Sequence, residues 1–331
     1  MSLRIGNKDV GPIGFGLMGL TASNPPAPYD VALQCMKAAL RNESNFWNGG
    51  QFYGPTNANS LQLLHHYFIT YPEDKEKVVI SMKGAFNFQP LGPDNRPENI
   101  RRCIDNCLEV LDGKAFIDIW QPARLDPKVE IETTIEAIAG YVKAGRIGGI
   151  GLSECNESTI RRAHAVHPIS VVEVELSLFT TDPLTNGIAS TCAELGIALI
   201  AYSPLAKGML TGQIKSANDL PETDQRRAYP RLQAGVFDAN MKLVEEVKKV
   251  SERKGCTMSQ VAIGWLRGLS ARPGMPHIIP LPGASSVQRV NENLKNVVLD
   301  ERDMQFLDDA VARLPVQGNR YPDAIQQFSA A

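Results

Sequence analysis

Cysteine is sparse in this 331-residue chain: there are six, and no Cys-x-x-Cys pair among them. Such spacing builds neither a disulfide scaffold nor a zinc ribbon. An excess of one charge is also missing, since 34 Lys and Arg stand against 36 Asp and Glu for a net of −2. That balance argues against nucleic acid or an anionic membrane as the main partner. No apolar run approaches the roughly 18 residues of a membrane-spanning helix. The opening, MSLRIGNKDV, lacks the apolar stretch of a secretory signal, so the cytoplasm, alone or with the nucleus, is the expected location. Five histidines and no nucleophile elbow leave hydrolysis unsupported. What remains is ordinary globular composition, 43% hydrophobic and 21% charged, which excludes a disordered chain.

Eight short apolar or β-branched runs recur: PIGFG (12–16), NFWN (45–48), VVISM (78–82), FIDIW (116–120), RIGGIGLS (146–153), VVEVEL (171–176), IALIAY (197–202) and HIIPLPG (277–283). Runs of this length suit strands buried on both faces, as in parallel sheets. Helical spacing fills the gaps, in YDVALQCMKAAL (29–40), NSLQLLHHYF (59–68), RPENIRRCIDNCLEVL (96–111), IETTIEAIAGYVKAG (131–145) and SVQRVNENL (286–294). Asn156 reads as an N-cap for a further helix. Eight alternations predict a (β/α)8 TIM barrel forming one domain over 1–331, with a doubly wound sheet as the rival topology. Two stretches break the rhythm: a long loop at 203–240 and a C-terminal tail at 314–331, which either covers the barrel mouth or lies on the surface.

Gly14-Phe15-Gly16-Leu17-Met18-Gly19 matches the dinucleotide fingerprint G-x-G-x-x-G. That motif works by starting a helix at the glycines and aiming its N-terminus at a pyrophosphate. Here Pro25, Pro26 and Pro28 follow, so the glycines are read as a rim turn. Barrel active sites sit where strands end, which nominates Asn48, Tyr53, Lys83, Gln121, Ala123, Arg124, Ser153, Glu173, Glu175, Tyr202 and Gly283. A Tyr beside a Lys is a chemically meaningful pair, because an ammonium favours the phenolate and makes the phenol a better proton donor to a carbonyl. The plainer alternative is a rim-packed Tyr53 and a solvated Lys83. His65 and His66 are adjacent and face different sides of a helix, so no metal is expected. Cys103 and Cys107 are read as helix packing.

The stretches VGPIGFGLMGLT, FYG (52–54), FIDIWQPARLD, KAGRIGGIGLSE, VEVELSLF, AYSPLAKGMLTG and IPLPGASSVQRVNENLKNV together resemble the aldo-keto reductase family over nearly the whole chain. NGGQFYG and QPARLD are most similar to its fungal pyridoxal reductase branch. The resemblance implies a barrel that binds NADP(H) without a Rossmann domain and reduces a small aldehyde, pyridoxal to pyridoxine being the preferred pair. It implies Tyr53 as general acid and Lys83 as its partner. Asn48 stands where the family has Asp, and Ala123 where it has His, so an uncompensated Lys83 is expected, with Gln121 or Arg124 left to replace the histidine. For the cofactor it implies Tyr202 stacking on the nicotinamide, Ser153 at the carboxamide, and Glu173 where the family commonly has Gln. It further implies Ser203, Leu205 and Lys207 at the pyrophosphate. At the adenosine end it implies Gly283, Ser285, Arg289, Glu292 and Asn293, with the serine-capped 286–294 helix as their carrier. Two altered catalytic positions keep open a cofactor-sensing protein with little turnover, and also an enzyme running mainly as an alcohol dehydrogenase. The oligomeric state is not readable from the sequence.

Overall fold

The computed structural model describes residues 3–23, 25–222 and 224–329. Eight strands run parallel in one sheet: β1 (Phe15–Gly16), β2 (Phe46–Gly50), β3 (Val79–Gly84), β4 (Ile119–Pro122), β5 (Ile150–Ser153), β6 (Ile169–Glu175), β7 (Ala198–Tyr202) and β8 (Ile278–Leu281). Each contains part of one of the eight apolar runs. The sheet closes on itself through a parallel bridge from Gly16 to Gly283. Beside it, the Gly14 and Gly16 amides donate to the carbonyls of Pro280 and Pro282 at 2.9 and 3.0 Å. Closure decides for the (β/α)8 TIM barrel over the open sheet.

Strand periodicity sorts the interior into layers. One end of the barrel is apolar, where Phe46, Val79, Ile119, Val171, Ile200 and Ile279 form one buried cluster with Ile5 and Val10. The last two belong to an N-terminal hairpin, Leu3–Ile5 with Lys8–Val10, that plugs that end. Two residues further along four of these strands the same inward face turns polar: Asn48 on β2, Ser81 on β3, Gln121 on β4 and Glu173 on β6, all buried. Outward residues such as Trp47, Ile80, Trp120, Val172 and Leu199 pack in the larger cluster with the helices.

Apart from two four-residue turns, Met18–Thr21 and Asp323–Gln326, the helices among the described residues are α1 (Tyr29–Arg41), α2 (Ser60–Thr70), α3 (Pro97–Leu111), α4 (Ile131–Lys143), α5 (Glu157–Val166), α6 (Ile188–Glu194), α7 (Phe237–Lys254), α8 (Met258–Leu269), α9 (Val287–Leu294) and α10 (Glu301–Arg313). Asn156 caps α5 as its sequence position implies, accepting from the Thr159 amide at 3.0 Å. The loop after β7 ends sooner than 240, because α7 begins at Phe237; before it come short 3-10 turns such as Ala206–Thr211 and Gln225–Ala228. Beyond β3, a second hairpin (Phe86–Phe88 with Leu91–Pro93) rises at the mouth, and the tail's Phe328 packs on Phe86 with ring centroids 5.9 Å apart. Among the described residues no helix is long and apolar enough to cross a membrane.

The glycine motif needs one amendment. A helical turn does start inside it, at Met18–Thr21, but it stops after four residues, ahead of the prolines. Gly14 is there for packing: a Cβ would lie 2.8 Å from Leu281 Cδ1 and 3.1 Å from the Phe46 carbonyl oxygen. Gly19 has nothing within 4 Å of the same position. Gly14→Ala should therefore cost about 1–3 kcal/mol as an overpacking change, while Gly19→Ala stays within about 0.5 kcal/mol of the parent. Urea unfolding of both variants measures the contrast, and equal losses would contradict it.

Candidate active site

The polar layer converges on one buried ion pair. Lys83, on β3, places Nζ 2.5 Å from Glu173 Oε1 on β6. The same ammonium donates to Asn48 Oδ1 at 2.5 Å. The amides of Asn48 and Gln121 each donate to Glu173 Oε2 at 2.9 Å, and both also reach Ser81 Oγ, at 3.3 and 3.2 Å. Lys83 is 3% and Glu173 1% exposed. Taking two such charges out of water costs several kcal/mol per ion, roughly, and is tolerable only when hydrogen bonds occupy the remaining sites, as they do here. Burial works against the charge on Lys83, but the Glu173 carboxylate, helped by Tyr53, outweighs it and holds the lysine above its ordinary pKa.

The expectation of an uncompensated Lys83 is therefore corrected: the charge missing at Asn48 is supplied from across the barrel. Glu173, expected beside the carboxamide, has both oxygens engaged in this cluster. Gln121 gives its amide N–H donors to Glu173 and Ser81, which leaves it an acceptor oxygen but no donor to replace the histidine.

Tyr53 follows β2 in a tight turn, its amide donating to the Gly50 carbonyl at 3.1 Å. Gly50 lets the ring lie flat against the backbone, since a Cβ there would come within 3.1 Å of it. Phe52 packs edge-on to that ring at 4.9 Å between centroids, and Lys83 Nζ lies 5.4 Å from the ring centre. The structure thus brings Tyr53, Lys83 and Asn48 together. Ser153 ends β5, is buried, and among the described residues its hydroxyl has no hydrogen-bond partner, as is also true of Gln121 Oε1.

Sequence reasoning missed a second polar network at the mouth. Tyr202, at the end of β7, donates its hydroxyl to Glu154 Oε1 at 2.8 Å and lies 2.9 Å from the Tyr321 hydroxyl of the tail. Arg320 pairs with Glu154 at 2.9 Å. Glu175 meets Lys207 at 3.3 Å and Arg231 at 3.6 Å, and accepts from Thr180 at 3.0 Å. Lys207 Nζ also sits over the Tyr229 and Tyr321 rings, at 4.7 and 4.4 Å. The tail therefore crosses the mouth. Burial opposes ionisation of Glu154, yet Arg320, with Arg124 near, holds that carboxyl below the usual range. Burial pushes Tyr202 and Tyr321 well above ordinary phenols, and it pulls Lys207 below an ordinary lysine in spite of Glu175. The signal available in sequence was Glu173 and Glu175 on one face of an apolar strand, since buried acids must find cations.

Arg124 differs from these cations. It is half-buried, donates to its own neighbour's Ala123 carbonyl at 2.6 Å, and among the described residues has no carboxylate within salt-bridge distance. Tyr202, Tyr321, Glu154 and Tyr53 all lie within its electrostatic reach. The adenosine-end residues gather around α9. Ser286 caps it by accepting from the Arg289 amide at 3.3 Å, exposed Arg289 reaches Gln213 at 3.0 Å, and buried Asn293 faces the Gly283 carbonyl at 3.5 Å. Ser285 is exposed and Glu292 half-buried beside them; Ser203 and Lys207 both adopt positive φ, with Leu205 between them. The cysteines are unpaired, and among the described residues no cluster of three metal-ligating side chains exists.

A phenol–ammonium pair at the carboxyl ends of a closed parallel barrel, with a buried unpartnered hydroxyl two strands from the lysine, is the arrangement expected of a barrel oxidoreductase. Residues 12–312 match the Aldo/keto reductase family. The chain belongs to that family. It is 42% identical to the Schizosaccharomyces pombe protein named "Probable pyridoxal reductase 2", over 86% of each chain. It is 33% identical to "Aldo-keto reductase yakc (NADP(+))" of the same yeast, over 96% of this chain and 94% of the relative. In fold it superposes on the glycerol dehydrogenase AKR11B4 from Gluconobacter oxydans with a TM-score of 0.83 at 20% identity, covering 96% and 97% of the two chains.

The Glu154 network has a consequence in pH. A carboxyl held below its unfolded pKa adds stability above roughly pH 4.3, and that stability fades as pH falls through the lowered value. Glu154→Gln should mimic acidification, cost about 3 kcal/mol by removing the buried carboxylate that Arg320 and Tyr202 bond to, and loosen the tail. Limited trypsin digestion followed by mass spectrometry should then show faster cleavage after Arg320; an unchanged cleavage rate would contradict the assignment.

Proposed function

We propose that this protein is an NADPH-dependent aldehyde reductase of the cytoplasm, acting on pyridoxal to form pyridoxine, with Tyr53 as the proton donor. The observation that carries this reading is the juxtaposition of Tyr53 with the charged, buried Lys83. The name of the S. pombe relative supports the substrate, and that of yakc supports the cofactor. When bound, NADPH supplies the hydride that the aldehyde carbon takes up. The residues present fit it: the unpartnered Ser153 hydroxyl suits a carboxamide, Tyr202 offers a ring, and exposed Arg289 offers a cation to a 2′-phosphate.

The chain's own work is orientation and protonation. Tyr53 gives its phenolic proton to the carbonyl oxygen, and the Lys83 ammonium stabilises the phenolate left behind. Phe52, Phe86, Phe88 and Phe328 form an aromatic wall next to Tyr53 that suits a flat ring. Arg124, spare of carboxylate partners, stands in for the missing histidine by holding the ring oxygen beside the aldehyde. Binding of cofactor requires Tyr202 and Lys207 to exchange their tail contacts for it. That exchange also favours a second reading, in which cofactor occupancy is signalled through the tail with little turnover.

NADPH oxidation with pyridoxal separates the two. The parent should turn over, and Tyr53→Phe should lose about 10²–10⁴-fold in kcat; tight NADPH binding without turnover on any aldehyde would select the sensing reading. Arg124→Ala should lower kcat/KM for pyridoxal about 10–100-fold, the worth of a charge-assisted hydrogen bond, and leave benzaldehyde within about threefold. Equal losses for both aldehydes would remove Arg124 from substrate selection.

A further inference from the structure

We infer that Glu173 is the positioning residue for Lys83, supplying from β6 the counter-charge that position 48 lacks and so keeping an ammonium beside Tyr53. This rests on the reading of Tyr53 and Lys83 as proton donor and partner. Three features of the cluster point the same way. Lys83 Nζ is equidistant, at 2.5 Å, from Glu173 Oε1 and Asn48 Oδ1. Asn48 turns its amide nitrogen to Glu173 Oε2 at 2.9 Å, a bond that an ionised Asp has no proton to make. Gln121 occupies a further lone pair of the same oxygen at 2.9 Å. Asparagine at 48 and glutamate at 173 thus form a complementary exchange: one negative charge serves the lysine, and the neutral amide bridges lysine to carboxylate.

The exchange constrains both positions. With Glu173 in place, an Asp at 48 would set two carboxylates about as close as that bond, and one of them would take up a proton. With Glu173 replaced by Gln, Lys83 would be buried against neutral partners, and desolvation would drive it toward the uncharged amine. The charged and titratable groups acting on Lys83 are Glu173 and Tyr53, with Arg124 in turn within reach of Tyr53. The cost falls on the cofactor side, because Glu173 carries no proton for a carboxamide and leaves that contact to Ser153.

The test uses the full chain with carbon-13-labelled lysine, following the Lys83 titration by NMR, beside the pH profile of NADPH-dependent pyridoxal reduction. In the parent, Lys83 should stay protonated beyond the ordinary lysine range of about 10.4; titration at or below that range overturns the inference without any variant. Glu173→Gln should move the titration down by about one unit or more. It should cut kcat about 10–100-fold with KM within about threefold, and shift the alkaline limb of the profile to lower pH. Returning the acid to its other position, in Asn48→Asp/Glu173→Gln, should restore the titration and most of kcat, whereas Asn48→Asp alone should not improve on the parent. A Glu173→Gln protein with an unchanged titration and profile, or a double variant no better than the single, overturns the assignment. If the parent reduces no aldehyde, the proposed function fails, while the titration still decides the role of Glu173.

Discussion

The Lys83–Glu173 pair is the constraint around which the rest of the barrel interior is arranged. A charged amine in a closed, dry barrel needs a negative charge within contact distance and hydrogen bonds to fill what the pair leaves open. Asn48, Gln121 and Ser81 exist at their positions in that capacity, each from a different strand or strand position, and together they tie β2, β3, β4 and β6 at one level. Below them the interior is apolar and plugged by the N-terminal hairpin. Water is kept from the pair on that side, which strengthens its field at Tyr53.

The mouth obeys the same rule one layer higher. Glu154 and Glu175 are buried acids, and their cations come from the tail and from the long loop: Arg320 for the first, Lys207 and Arg231 for the second. Pairing across the opening makes the tail part of the site, with Tyr321 against Tyr202 and Phe328 against the hairpin beyond β3. Tyr202 and Lys207, which the proposed function gives to the cofactor, are thus already held by tail partners, and binding there becomes an exchange of contacts whose free energy is the difference between two sets.

The strands were legible because burial on both faces leaves continuous apolar runs, and the Asn156 and Ser286 caps because a polar side chain at a helix start has a local job. α6, α7, α8 and α10 went unnamed, although for α7 and α8 Lys254 and Gly255 mark a stop and Thr257 with Gln260 a capping box. Strand ends nominated Tyr53 and Lys83 but left a rim-packed Tyr53 and a solvated Lys83 equally readable; the family resemblance supplied their pairing. The counter-ion of Lys83 was not legible, since Glu173 lies 90 positions from it, and only the barrel's curvature brings β6 opposite β3. The clue was present in compensating form, an amide where an acid was expected and an acid where an amide was. The tail was ambiguous for a similar reason: Arg320 and Tyr321 look like surface residues until Glu154 and Tyr202 are placed beneath them.

The account stands or falls on where the hydride goes. NADPH carrying deuterium at the transferred position of the nicotinamide, incubated with the protein and pyridoxal, gives a product that NMR reads directly. The account predicts pyridoxine with one deuterium on the carbon of the former aldehyde. Bound cofactor with no deuterated alcohol, from pyridoxal or from any other aldehyde offered, would contradict it.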